Sequence, residues 1–101
     1  MMKIEHIGIA VKSLGESDDL FARLMGESHY KHESVAREGV ETSFYNIGES
    51  KIELLEAKNE ESPISKFIEK KGEGIHHIAF GVENIYQEVE RLKKSGFIFI
   101  S

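Results

Sequence analysis

The chain has 101 residues, 40% of them hydrophobic and 31% charged, and a formal net charge of −5. That is enough for one globular domain with a modest core, and the scattered basic residues argue against a nucleic-acid groove or an anionic membrane surface as partner. Cysteine is absent, which excludes disulfides, thiolate chemistry and cysteine-ligated zinc, and no apolar run reaches membrane-spanning or signal-peptide length, so a cytoplasmic protein is the expectation.

Lys3 to Val11 alternates as a strand. Ile4, His6, Gly8 and Ala10 share one face; Ile7, Ile9 and Val11 lie on the other, against the core. Ser13 caps a helix whose apolar stripe is Leu14, Leu20, Phe21, Leu24 and Met25, and Gly26 ends it. Residues 29–37 are polar and weakly patterned and are read as an edge strand. Gly39 marks a turn. Val40 to Ile47 and Lys51 to Ala57 are strands joined by the tight turn Gly48-Glu49-Ser50.

Ser62-Pro63 starts a short helix with a capping hydroxyl and a proline at its first position, and Ile64, Phe67 and Ile68 form its buried stripe. Gly72 and Gly74 release the chain into a further strand. Asn84 caps a last helix carrying Ile85, Val89 and Leu92, which stops near Gly96, and Phe97 to Ile100 begins another strand.

The most informative feature is an internal repeat. His6-Ile7-Gly8-Ile9-Ala10-Val11 returns as His77-Ile78-Ala79-Phe80-Gly81-Val82, and Ile4 returns as Ile75, a period of 71 residues. A single histidine beside an apolar strand is ordinarily a hydrogen-bonded core or surface residue. Two at equivalent positions of a duplicated fold are related by a pseudo-twofold axis and can converge on one centre, which points to a metal. Glu53 stands in an apolar strand on the side away from Ile52 and Leu54. It is read either as a carboxylate facing that centre or as a rim group paired with a lysine. Glu56 falls on the opposite face. His76 points away from His77 by strand alternation and is taken as structural or as part of the cleft rim, not as a ligand. His29 and His32 are taken as surface residues.

The order β-α-β-β-β, a linker helix, then β-α-β resembles the vicinal oxygen chelate (glyoxalase I-like) superfamily, and most of all methylmalonyl-CoA epimerase. The segments that carry the resemblance are Ile4 to Val11, Lys51 to Glu56, and Ser62 to Phe80 with its run Gly72-Glu73-Gly74-Ile75-His76-His77. The resemblance implies an α+β fold in which paired β-α-β-β-β modules form a curved mixed sheet around a metal cleft. It implies one glyoxalase-like domain over 1–101, with module one at 1–58, the linker helix at 62–72 and module two at 75–101. By the pattern of module one, the second module is truncated, with about two strands expected after Ser101.

Carried over residue by residue, the resemblance makes His6, Glu53 and His77 ligands of one divalent metal ion, Zn, Co, Ni, Mn or Fe, a range that the mixed N/O donors also suit. Glu53 lies 47 residues after His6, so a fourth ligand would lie near position 124. The implied activity is epimerisation of methylmalonyl-CoA through an enolate. The alternatives are a lactoylglutathione lyase acting on a glutathione hemithioacetal and a non-catalytic small-molecule binding protein. No catalytic base is assigned: Thr42 faces inward where some epimerases carry an acid, and threonine is not a base. Lys66, Lys70 and Lys71 are read as a solvated helix face that can meet coenzyme A phosphates at the cleft edge. An uncovered edge strand at Phe97–Ile100 invites pairing with a second copy, so a homodimer is expected.

Overall fold

The computed structural model describes residues 2–100. Met1 and Ser101, the latter the last residue assigned to module two, lie outside the described residues. The order is β1 (Lys3–Ala10), α1 (Leu14–Met25), β2 (Lys31–Val35), a 3-10 turn (Ala36–Glu38), β3 (Val40–Ile47), β4 (Ser50–Ala57), α2 (Pro63–Lys71), β5 (Gly74–Gly81) and α3 (Ile85–Lys94). Each of the three α-helices starts where a side chain can satisfy an orphan backbone N–H. Ser13 Oγ accepts from Glu16, Ser62 Oγ from Ile64 at 3.2 Å, and Asn84 Oδ1 from Gln87 at 3.1 Å. Gly26 closes α1 in the left-handed region at φ 80°.

The five strands form one open, curved mixed sheet in the order β2-β3-β4-β1-β5. β1 runs parallel to β4 and antiparallel to β5, while β2-β3 and β3-β4 are antiparallel. This is the expected α+β architecture, and the strand read at 29–37 is indeed an edge.

Apolar side chains cover both faces. On one, Val11, Leu14, Tyr45 and Leu54 pack with Ile9, Phe21, Met25 and Ile52 beneath α1. On the other, Ala10, Val40, Leu55 and Ile64 pack with Phe67 and Ile68, so α2 covers one end of the face that carries His6. Ala10 is fully buried there, although alternation assigns it to the side away from the core. The remainder of this second face is left open and becomes a cleft.

A buried polar cluster ties α1 to the sheet. Tyr45 Oη donates to Asp18 Oδ1 at 2.6 Å and Ser43 Oγ to Asp18 Oδ2 at 2.9 Å. Burial, followed by its hydrogen bond to Asp18, pushes the Tyr45 phenol well above its ordinary range, so it remains a neutral donor.

Two expectations are corrected. Phe97 to Ile100 is not a strand: the Phe97 N–H turns back to the Leu92 carbonyl, and Ile98 and Ile100 are almost fully exposed. A strand needs a ladder partner, and no described strand runs beside this segment, so the sheet edge next to β1 is β5. The stripe of α3 is also shallower than its pattern suggests, since Ile85 is exposed and Val89 and Leu92 are half-buried.

Replacing Asp18 by alanine strands the Ser43 hydroxyl in the interior. An unsatisfied buried polar group costs about 1–3 kcal/mol. Asp18→Ala is therefore expected to lower unfolding free energy by about that amount in urea titrations. Tyr45→Phe is expected to cost less, because Asp18 is partly exposed and can turn to water.

Candidate metal centre

The ladder between β1 and β5 brings the two repeats together. Ile4 pairs with Phe80, but the next pair is His6 with Ala79, so Glu5 is an extra residue on β1. Gly8 pairs with His77, but the next pair is Ile9 with Ile75, so His76 is an extra residue on β5. Each strand thus carries a β-bulge immediately before its histidine, and the register is displaced by one only between the bulges. A bulge sets two consecutive residues against one partner and breaks the alternation of faces. The burial of β5 shows this: Ile75 is exposed, His76 and His77 are both half-buried, and Ile78 is exposed again.

Across this ladder the His6 and His77 Nε2 atoms stand 3.1 Å apart. Glu53 reaches them from β4, where it pairs with Gly8 of β1, and its Oε2 lies 3.4 Å from His6 Nδ1. One donor atom from each of His6, Glu53 and His77 can be chosen so that all lie within 4.8 Å of one another. The structure therefore brings together the three residues that the repeat and the resemblance singled out.

The outward nitrogens are also engaged. His6 Nδ1 lies 2.6 Å from Glu5 Oε1, and the other Glu5 oxygen accepts from Lys51 Nζ at 2.5 Å. The Lys51 hydrogen bond, then that of His6, holds the Glu5 carboxyl down at about 2. His77 Nδ1 lies 2.9 Å from His76 Nδ1. His76 therefore does not point away from His77, because the bulge turns both rings to the cleft, and its ring also stands edge-on to Phe67 at 5.0 Å.

These residues fit a divalent cation. The two imidazoles turn Nε2 toward each other at 3.1 Å, and bonds of about 2.0–2.2 Å suit donors that lie within 4.8 Å of one another. Burial, then the charges of His6 and His76, pushes His77 below its ordinary pKa, keeping its lone pair available. Burial raises the Glu53 carboxyl, and His6 opposes that shift. A half-buried carboxylate facing two imidazoles is stabilised when a positive ion joins it.

Beside the triad is a cavity of about 410 Å³. Its wall includes Glu53, His76, His77, Thr42, Phe44 and Glu33, with Val40, Leu55 and Ile64 as an apolar floor. Glu33 faces Thr42 across the β2-β3 ladder, and Glu38 also lines the wall. Glu33 and Glu38 were missed by sequence reading because their stretch has no clear pattern.

The remaining residues lie elsewhere. Glu56 caps α1 on the far face, its Oε1 accepting from the Leu14 N–H at 2.8 Å. His29 lies beside Asp18 and Tyr45 behind the sheet, and His32 pairs with Glu41 at 2.8 Å on the edge. On α2, Lys70 and Lys71 are exposed, as is Lys66.

Comparison with known proteins identifies the family and the fold. The family model described as Glyoxalase/Bleomycin resistance protein/Dioxygenase superfamily matches residues 5–101. A solved structure, hypothetical protein BH1468 of Bacillus halodurans, is 46% identical with a TM-score of 0.87, covering 94% of this chain and 69% of that one. Methylmalonyl-CoA epimerase of Streptomyces coelicolor, solved with 2-nitronate-propionyl-CoA, is 29% identical with a TM-score of 0.77, covering 93% and 69%. The mitochondrial methylmalonyl-CoA epimerase of Dictyostelium discoideum is 36% identical over 91 residues, 89% of this chain and 55% of that enzyme. The chain spans about half the length of the mitochondrial epimerases it matches.

Gly8 gives the centre its room. A Cβ there would lie 2.7 Å from both ring nitrogens of His77, which faces it across the ladder. A strand glycine of this kind marks a close approach. Gly8→Ala is expected to preserve the circular dichroism spectrum while displacing His77. Divalent-metal affinity, measured by competition with a chromophoric chelator, is expected to fall at least tenfold.

Proposed function

The chain belongs to the glyoxalase/bleomycin resistance protein/dioxygenase superfamily, and on that premise we propose that it is a metal-dependent isomerase interconverting the 2-epimers of methylmalonyl-CoA. His6, His77 and Glu53 would hold the cation, which would supply Lewis-acid withdrawal of charge from a thioester carbonyl and so acidify the adjacent C–H bond. The observation that carries the reading is the composition of the cleft. Its wall has three carboxylates, Glu33, Glu38 and Glu53, two imidazoles and no lysine or arginine among the described residues. A substrate that is itself a carboxylate needs positive charge in such a cleft, and a cation on the triad supplies it.

The protein's own groups have separable tasks. Val40, Leu55 and Ile64 give an apolar floor that suits a methyl group and keeps water from the reacting carbon. With Glu53 engaged by the cation, Glu38 and Glu33, the latter 3.5 Å from Lys31 Nζ, are the remaining wall carboxylates that can exchange a proton at the α-carbon. Thr42, in register with Glu33, contributes shape and a hydroxyl but no base. The relatives named as epimerases support this substrate class, as does the 2-nitronate-propionyl-CoA with which the Streptomyces coelicolor enzyme was solved.

Three measurements test the reading. His77→Ala is expected to abolish stoichiometric divalent metal in a folded protein, and His32→Ala to retain it; equal metal content in the two variants would sink the site. The metal-loaded protein is expected to exchange the α-proton of methylmalonyl-CoA for deuterium in heavy water, with a chelator suppressing the exchange. Glu33→Gln, Glu38→Gln or the double variant is expected to slow that exchange at least tenfold with metal content unchanged. Turnover of a methylglyoxal–glutathione hemithioacetal without exchange on the CoA thioester would reassign the protein as a lyase.

A further inference from the structure

We propose that Glu5 is a positioning residue, placed by the β1 bulge to hold the His6 imidazole as its Nδ1–H tautomer with the Nε2 lone pair turned to the cation site. The proposal rests on the reading of His6 as a ligand. In a regular strand the residue before His6 would point to the opposite face. The extra residue in β1 removes that obstacle and sets the Glu5 carboxylate beside the ring. Glu5 uses its two oxygens separately, Oε1 toward His6 Nδ1 at 2.6 Å and Oε2 toward Lys51 Nζ at 2.5 Å.

The acceptors around the ring decide where its proton sits. His6 Nδ1 has the Glu5 carboxylate at 2.6 Å, and an ionised carboxylate can only accept. Nδ1 therefore donates, and a neutral ring keeps its lone pair on Nε2, where in the metal-free chain it can accept from His77 Nε2–H at 3.1 Å. Lys51 is the register partner of His6 on β4 and anchors the far oxygen of Glu5. The anchor fixes the plane of the carboxylate and with it the ring. A carboxylate accepting from the outer nitrogen also makes the inner one a stronger donor to a metal. The second bulge repeats the arrangement with His76 beside His77, where the outer partner is an imidazole.

The test reads the ring before any metal is added. Long-range 1H–15N correlation spectra of the metal-free chain are expected to show His6 as the Nδ1–H tautomer. Glu5→Ala is expected to shift it toward Nε2–H and to weaken zinc or cobalt affinity about 10–100-fold. Glu5→Gln keeps the shape and one neutral acceptor, so it is expected to retain the tautomer and recover part of the affinity. It also carries the test if Glu5→Ala does not fold. An Nε2–H tautomer in the wild-type chain would overturn the proposal. So would a tautomer and a metal affinity unmoved, within twofold, by both substitutions. If the wild-type chain bound no metal, the metal centre would fail on that result alone, while the tautomer shift would still report whether Glu5 holds the ring.

Discussion

His6 and His77 are 71 residues apart in the chain and 3.1 Å apart at their Nε2 atoms, and the β1-β5 ladder closes that gap. The ladder achieves it with three local departures from a regular sheet. Gly8 removes the side chain that would occupy the space of the His77 ring. The two bulges shift the register over the segment that carries both histidines. β1 then has its parallel partner β4 on the other side, which brings Glu53 opposite Gly8. The candidate ligands therefore come from three adjacent strands and depend on backbone pairing more than on any loop. Such placement favours fixed geometry.

The surrounding charges are layered. The inner layer is two imidazoles and a carboxylate whose ionised form is disfavoured by burial. The outer layer is an ionised carboxylate bridged to a lysine behind His6 and a second imidazole behind His77. The two halves of the repeat thus surround equivalent histidines with unlike partners. Equivalent position in the fold does not give the two rings the same outer partner.

Much of this was legible in the sequence. The strand and helix limits followed from alternation, capping serines and glycines, and the repeat located both histidines. The face of Glu53 in an otherwise apolar strand left it either a cleft carboxylate or a rim group, and the family resemblance made it a candidate ligand. Two things were hidden for one reason. The neighbourly role of Glu5 and the true direction of His76 both depend on bulges, and a period-two reading assumes there are none. The extra residue costs nothing in the apolar pattern of β1, because the residues around it are only partly buried. Glu33 and Glu38 were hidden differently, since they become cleft residues only when β2 pairs beside β3 and the 3-10 turn follows it at the cleft wall. The missing strand at Phe97–Ile100 has a third cause: strand propensity is realised only beside a partner, and none lies there among the described residues.

The β1-β5 pairing also joins the first repeat to the second, and an ion held by His6, His77 and Glu53 would bridge that junction. Unfolding separates those donors, so binding of such an ion would be thermodynamically linked to folding. Above the dissociation constant, each tenfold rise in free metal adds about 1.4 kcal/mol to the folded state. For a small domain of marginal stability that increment is a sizeable share of the total. Scarcity of the ion would then act on the amount of folded protein as well as on the reaction, and a shortage would be felt first as turnover of the chain itself.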